Sequence, residues 1–247
     1  MLSIAANPLR KEILMELYIV RHGESENNAR PVEERVEDPG LTEIGQLQAE
    51  RLVHRLWHVQ PTRIFVSPFR RTLETIAPYL EQSGQQAEAW IDLHEQGGVM
   101  RGVDVPDFEG CPGMTREEIR HEFPAVHLPA EIDHTGWWKC RPYEPPTLAM
   151  ERASRVAAAL REEYAPSHER IVLVSHGFFM ALLVSAFMGL TSEGFERFTD
   201  IANVSVTKFI LTIPHTQLSL YNCVRHLPEE WITGVDLRHF RTEISVK

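Results

Sequence analysis

The chain has 247 residues, 43% of them hydrophobic, and a formal net charge of −10 at pH 7. That length suits one large α/β domain over residues 1–247, with two smaller domains not excluded. A negative overall field disfavours nucleic acid and anionic membrane as partners, so an anionic substrate would need a local cluster of donors working against it.

The N-terminal stretch carries Arg10, Lys11 and Glu12 inside its apolar run and so lacks a complete signal-peptide core. The pattern then predicts a strand over 16–20, running into Arg21-His22-Gly23-Glu24 and a loop rich in Asn, Pro and acidic residues. A helix follows from about Thr42, with Ile44, Leu47, Leu52, Leu56 and Val59 near one face. A second strand over 63–66 ends at Ser67-Pro68. Its helix carries Leu73, Ile76, Ala77 and Leu80 at helical spacing, and Pro78 should kink it or shorten it. A third strand, about 88–91, ends near Leu93-His94-Glu95.

From 97 to 146 the chain turns rich in Gly, Pro, His and Trp, which reads as an insertion or lid over the C-terminal edge of a sheet. One short helix is marked there. Thr115 and Glu118 form a capping box, Met114 and Ile119 a hydrophobic staple, and Pro124 ends the helix. A helix over 147–164 buries Ala149, Ala153, Val156, Ala157, Leu160 and Tyr164. The all-apolar strand 171–174 suits a central place buried on both faces; it leads to Ser175-His176-Gly177 and an apolar helix ending near Gly189. Two strands, about 204–213 and 217–224, close the pattern. The apolar run 178–190 is too short to span a bilayer, and Cys111, Cys140 and Cys223 form neither a zinc motif nor a disulfide framework. A soluble, cytoplasmic protein is the expectation.

Strands alternating with helices imply an α/β fold, a mostly parallel sheet with helices on both faces and right-handed crossovers. Ligands bind such sheets beyond the carboxyl ends of the strands. Four polar clusters fall at four such ends: Arg21-His22, Ser67 to Arg71, Glu95 and His176. Arginine forks match phosphate oxygens, neutral imidazole is a nucleophile toward phosphorus, and a carboxylic acid protonates a departing alkoxide. Backbone amides after Gly23 and Gly177 add donors at helix starts. Taken singly, each of these residues is as readily structural; their joint placement points to phosphoryl transfer through a covalent intermediate.

The run Leu17-Tyr18-Ile19-Val20-Arg21-His22-Gly23-Glu24-Ser25-Glu26-Asn27-Asn28 resembles the signature of the histidine phosphatase superfamily, the phosphoglycerate-mutase-like proteins. The resemblance continues through Asp38-Pro39-Gly40-Leu41-Thr42-Glu43-Ile44-Gly45-Gln46, Gln48-Ala49, Ser67 to Thr75, Leu93-His94-Glu95, Val172 to Gly177 and Asn203-Val204-Ser205. It implies His22 as the phosphorylated nucleophile, Arg21, Arg71 and His176 as phosphate-binding residues, Asn28 as a further phosphate contact and Glu95 as proton donor. Gly177, where another branch has Asp, and Glu24-Ser25 after the first Gly imply the branch of cofactor-dependent mutases and small-molecule phosphatases, acting without a metal. Glu74 replaces the family's usual Gln. The spacing after Glu95 also departs from the family, with Gln96 to Met100 intervening and Phe108-Glu109-Gly110 coming later, which leaves Asp104, Asp107 or Glu109 as alternative donors.

Three functions are weighed: a phosphatase acting on a small phosphorylated metabolite without a cofactor, a phosphoglycerate mutase-type transferase, and a non-catalytic binding protein on the same fold. The basic, proline-rich insertion of the mutases is missing, and the set Arg21, His22, Arg71, Glu95 and His176 is intact, which favours the first. His54 and His58, four apart on a helix, read as a solvated face rather than a zinc site. Trp137, Trp138, Arg141 and Tyr143 either line the pocket or pack the lid, and Arg101 is a candidate for a second anionic group. Oligomeric state is open, with a homodimer among the options.

Overall fold

The computed structural model describes residues 15–165, 167–190, 194–212 and 215–235. In chain order the strands are β1 (Met15–Arg21), β2 (Arg63–Val66), β3 (Ala87–Ala89), β4 (Met100–Arg101), β5 (Glu109–Gly110), β6 (Val126–His127), β7 (Arg170–Ser175), β8 (Val206–Leu211) and β9 (Thr216–Cys223). The helices are α1 (Glu26–Ala29), α2 (Glu43–Val59), α3 (Arg70–Ser83), α4 (Arg116–Glu122), α5 (Pro146–Tyr164) and α6 (Gly177–Phe187). Seven strands make one sheet in the order β6-β3-β2-β7-β1-β8-β9, and β4 pairs with β5 apart from it. The neighbours from β6 through β1 run parallel, and β8 and β9 add an antiparallel edge. The mostly parallel α/β sheet expected from the sequence is therefore present.

The strands divide the core by their period of two. Tyr18, Val20, Val172 and Val174 face α2 and α3, where Leu52, Leu56, Leu73 and Ile76 pack. Leu17, Ile19, Ile171 and Leu173 face α5 and α6, where Ala153, Leu160 and Leu183 pack. Strand β7, between β2 and β1, is buried from Ile171 through Ser175, the central position its apolar run predicts.

Four details differ from the sequence reading. On α2 the buried face is Gly45, Gln48, Ala49, Leu52, Val53, Leu56 and Val59; Leu47 is exposed and Ile44 only half-buried. The helix is turned this way because Gly45 meets the chain after β1, where a Cβ would lie 2.0 Å from the Glu24 carbonyl oxygen. Helix α3 is not shortened at Pro78 but runs on to Ser83, its two halves anchored by Leu73, Ile76, Tyr79 and Leu80 in one cluster. The third strand ends at Ala89 and a 3₁₀ turn, Ile91–Leu93, follows. Val204 sits at φ 54°, outside the extended region, so β8 begins only at Val206, and residue 213 lies outside the described residues.

The insertion 97–146 has two parts. The first supplies Gly97, Gly98, Met100, Gly102, Val103 and Phe108 to the pocket described below. Further on, the Thr115 capping box closes α4, Met114 and Ile119 are buried, and β6 joins the sheet edge beside β3. Trp137 and Trp138 pack this segment onto the core. Trp137 meets Phe69 edge-on with ring centroids 4.8 Å apart, and Trp138 meets His94 at 4.9 Å. No helix among the described residues is long and apolar enough to cross a membrane.

Candidate active site

Beyond β1 the chain makes a tight turn that is fixed from three sides. The His22 amide donates to the Ser175 carbonyl at 2.9 Å and the Gly23 amide to Thr75 Oγ1 at 2.9 Å, while a Cβ on Gly23 would lie 2.8 Å from the Gly45 carbonyl oxygen. The His22 ring is buried, with Nδ1 2.6 Å from the Gly23 carbonyl oxygen and Nε2 3.2 Å from Arg71 Nε. A carbonyl only accepts and a guanidinium only donates, so these partners assign the proton to Nδ1 and the lone pair to Nε2. Burial, reinforced by the Arg71 and Arg21 charges, holds the imidazole well below its usual pKa, so it is neutral at pH 7.

Arg21 reaches the same floor. Its Nη1 donates to the carbonyl oxygens of Ile201 and Gly234, and its buried Nε has no partner among the described residues. Burial lowers its pKa to about 10, which leaves it charged at neutral pH. Gly177 makes room for it, since a Cβ there would lie 3.2 Å from Arg21 Nε. Arg71, in the first turn of α3, lies 4.1 Å above the Phe69 ring, and its Nη1 is 3.9 Å from Asp38 Oδ1.

Asn28, on α1, accepts at Oδ1 from the Ser25 amide and hydroxyl, both at 3.1 Å, and from Asn203 Nδ2 at 3.3 Å. With the oxygen so occupied, its Nδ2 is the donor left for a ligand. Glu95 sits at the start of α6. Its Oε1 accepts from the amides of Gln96 and Phe179, each at 2.9 Å, and Oε2 from the Phe178 amide at 3.3 Å. His176 is the N-cap of α6 and fully buried, with Nε2 2.8 Å from Ser67 Oγ, Nδ1 unpartnered among the described residues, and its ring centroid 5.2 Å from that of His22.

Arg21, His22, Asn28, Arg71 and Glu95 line one pocket of about 290 Å³. His176 and Gly177 stand against this group without forming part of the wall. Of the insertion, Tyr143 borders the pocket, whereas Trp137, Trp138 and Arg141 do not. Asp104, Asp107 and Glu109 are exposed and outside its lining. Arg101 is held by Glu37, Nε to Oε1 at 2.6 Å, and likewise lies outside the lining. His54 and His58 are exposed on α2, with His58 Nδ1 2.7 Å from the His54 carbonyl oxygen.

Four supporting residues carry no role in the sequence reading. Asn203 donates from Nδ2 to the His22 carbonyl at 3.0 Å, and Ser67 holds His176. Asp38 is a carboxylate that burial pushes up to about 6; its Oδ1 accepts from the Arg70 amide at 3.0 Å and its Oδ2 has no partner among the described residues. Arg152, on the buried face of α5, donates to the carbonyls of Asp92 at 2.6 Å and His94 at 3.0 Å, and so braces the turn that carries Glu95. Arg152 left a visible signal: an arginine three residues after Ala149 and next to Ala153 interrupts an apolar stripe.

A probable phosphatase of Schizosaccharomyces pombe is 36% identical over 93 residues, covering 37% of this chain and less than half, 44%, of that protein. A probable phosphoglycerate mutase, GpmB, of Proteus mirabilis is 27% identical over 198 residues, 79% of this chain and 84% of the other. A solved phosphoserine phosphatase of Entamoeba histolytica superposes with a TM-score of 0.59 at 19% identity, covering 87% of this chain and all of that one, which supports the fold. The family model of the histidine phosphatase superfamily, branch 1, matches residues 17–224, and the chain belongs to that family.

Proposed function

We propose that the protein is a phosphatase that hydrolyses a small phosphate monoester through a phosphohistidine at His22 Nε2. The observation that carries this reading is the neutral ring with its proton fixed on Nδ1 and its lone pair beside two buried guanidinium groups. Arg21, Arg71 and the Asn28 amide would bind the non-bridging oxygens, and the unpartnered His176 Nδ1 would complete the cradle.

In the first step the Nε2 lone pair forms the P–N bond as the P–O bond to the leaving group breaks. The Glu95 acid gives its proton to the departing alkoxide, and Oε2, its less engaged oxygen, is the atom to carry that proton. The charge arising on the ring is met at Nδ1–H by the Gly23 carbonyl. In the second step the Glu95 carboxylate takes a proton from water, the water oxygen attacks phosphorus, and the P–N bond returns its pair to Nε2. The reading extends to one domain with 97–146 as both wall and lid, acting in the cytoplasm on a small metabolite. Transfer between two hydroxyls of one substrate is a second reading, favoured by the similarity to GpmB.

Phosphate release from p-nitrophenyl phosphate with a chelator present, for the parent and His22→Ala, tests the proposal. Chelator-resistant turnover by the parent, absent in the variant, together with acid-labile phosphate trapped on the parent alone, is the expected result. Turnover that survives the substitution would refute the nucleophile. Phosphate exchange between hydroxyls much faster than release would favour the second reading.

A further inference from the structure

We infer that the substrate's leaving group is an apolar body, ring-shaped or branched, rather than a polyhydroxylated one; this rests on the phosphatase reading above and names the substrate class of the same pocket. Around the phosphate cradle the pocket opens between two segments. Val32 and Val36 come from the loop after α1, and Met100, Val103 and Phe108 with Tyr143 from the insertion. Val32, Val36 and Val103 are 39%, 41% and 51% exposed. Nine large hydrophobic side chains are exposed among the described residues, and these three share the mouth of one pocket. Scattered apolar residues on a surface need no explanation, but a group converging on a reaction centre does. Phe108 and Tyr143 stack with ring centroids 5.3 Å apart and add a flat aromatic wall.

The polar groups at the mouth are largely engaged with one another. Asn27 donates from Nδ2 to the Val36 carbonyl at 2.7 Å and accepts the Val36 amide at 3.0 Å. Gln96 spends both Nε2 hydrogens, on Tyr143 Oη at 2.7 Å and the Glu144 carbonyl at 2.6 Å. Glu37 is tied to Arg101. Arg35, also in the lining, forms no ion pair among the described residues, and it offers attraction to a phosphate dianion against the net negative charge. A sugar's hydroxyls would exchange water for valine methyls, whereas an apolar body would gain from the same contact.

The test compares two esters of similar leaving-group basicity: glucose 6-phosphate and cyclohexylmethyl phosphate, each a primary alcohol on a six-membered ring. The parent is expected to favour the cyclohexylmethyl ester in kcat/KM by about tenfold, the worth of ~60 Å² of apolar surface taken from water. The shape-preserving double variant Val36→Thr, Val103→Thr should lower that ratio severalfold. A parent ratio at or below one, or a ratio untouched by the double variant, would overturn the inference and leave the phosphatase reading standing. Failure to hydrolyse these esters and p-nitrophenyl phosphate alike would instead overturn the phosphatase reading. The preference is then read calorimetrically from binding of the same two esters, and equal affinities would overturn the apolar subsite as well.

Discussion

Replacing Arg152 by Met isolates the buried charge that braces the turn carrying Glu95. Arg152 and Glu144 have side chains 3% and 11% exposed and meet through two bonds, Nε to Oε1 at 2.8 Å and Nη2 to Oε2 at 2.6 Å. The guanidinium also lies 4.0 Å above the Phe179 ring and holds the carbonyls of Asp92 and His94. Methionine keeps most of the apolar stem and removes every donor, so Glu144 is left as a nearly buried charge without its cation. Breaking such a pair from one side costs ~3–5 kcal/mol. For a chain of this size that lowers the unfolding temperature by ~6–20 °C. Urea and thermal unfolding followed by circular dichroism give both quantities. Because the released turn carries Glu95, kcat should fall in the protein that remains folded. The double variant Arg152→Met, Glu144→Leu should recover most of the stability, since the orphaned charge is gone. A loss below ~1 kcal/mol in the single variant, or a double variant no better than the single, would refute this account of the brace.

Three buried imidazoles should make the fold sensitive to acid. His22 and His176 are held well below 6.5 and His94 falls to about 3, all chiefly by burial, so as pH drops below 6.5 the unfolded chain takes up protons that the folded one does not. Stability therefore falls with acidification, as the urea midpoint between pH 7 and 5 would record. Asp38 opposes this with one proton: raised from 3.8 to about 6, it favours the folded state as pH falls through 6, so Asp38→Asn should steepen the decline. A midpoint that rises with acid would contradict the neutral burial of these rings. Separately, Glu95→Gln should lower kcat/KM on an alkyl phosphate by ~10²–10⁴ yet affect kcat/KM on p-nitrophenyl phosphate much less, because nitrophenolate departs without a proton and kcat/KM does not include the later water attack. Equal losses on both esters would remove Glu95 from the donor role.

The sheet was legible because its central strands are nearly all apolar and end in polar clusters, so the order of strand ends already converged Arg21, Arg71 and Glu95. The capping box at Thr115 was legible because its chemistry is local. What escaped depends on contacts between distant segments. Nothing in the helical period alone turns α2 toward Gly45 and Gln48 instead of Leu47; the close approach of the chain after β1 does. Asp38 and Asn203 look like ordinary loop residues until the fold sets them against Arg71 and the His22 carbonyl. The two tryptophans show the same limit, since composition cannot separate an aromatic that walls a cavity from one that pins a segment. Glu74, in place of the family's usual Gln, accepts the Leu41 amide at 2.6 Å, a bond that needs only a side-chain oxygen.

Strand β1 lies between β7 and β8, pairing Glu16 with Arg170 and with Ile210. The turn it carries is held by Ser175, Ile201, Asn203 and Gly234, all more than 150 residues further on. During synthesis the segment bearing His22 thus emerges well before the residues that hold it and is among the last to find its neighbours. The nascent chain must extend past Asn203 and Gly234 before the turn around His22 is enclosed. Such late, long-range closure is slow. A ribosome-stalled fragment ending before residue 170 should accordingly contain His22 without an assembled centre around it.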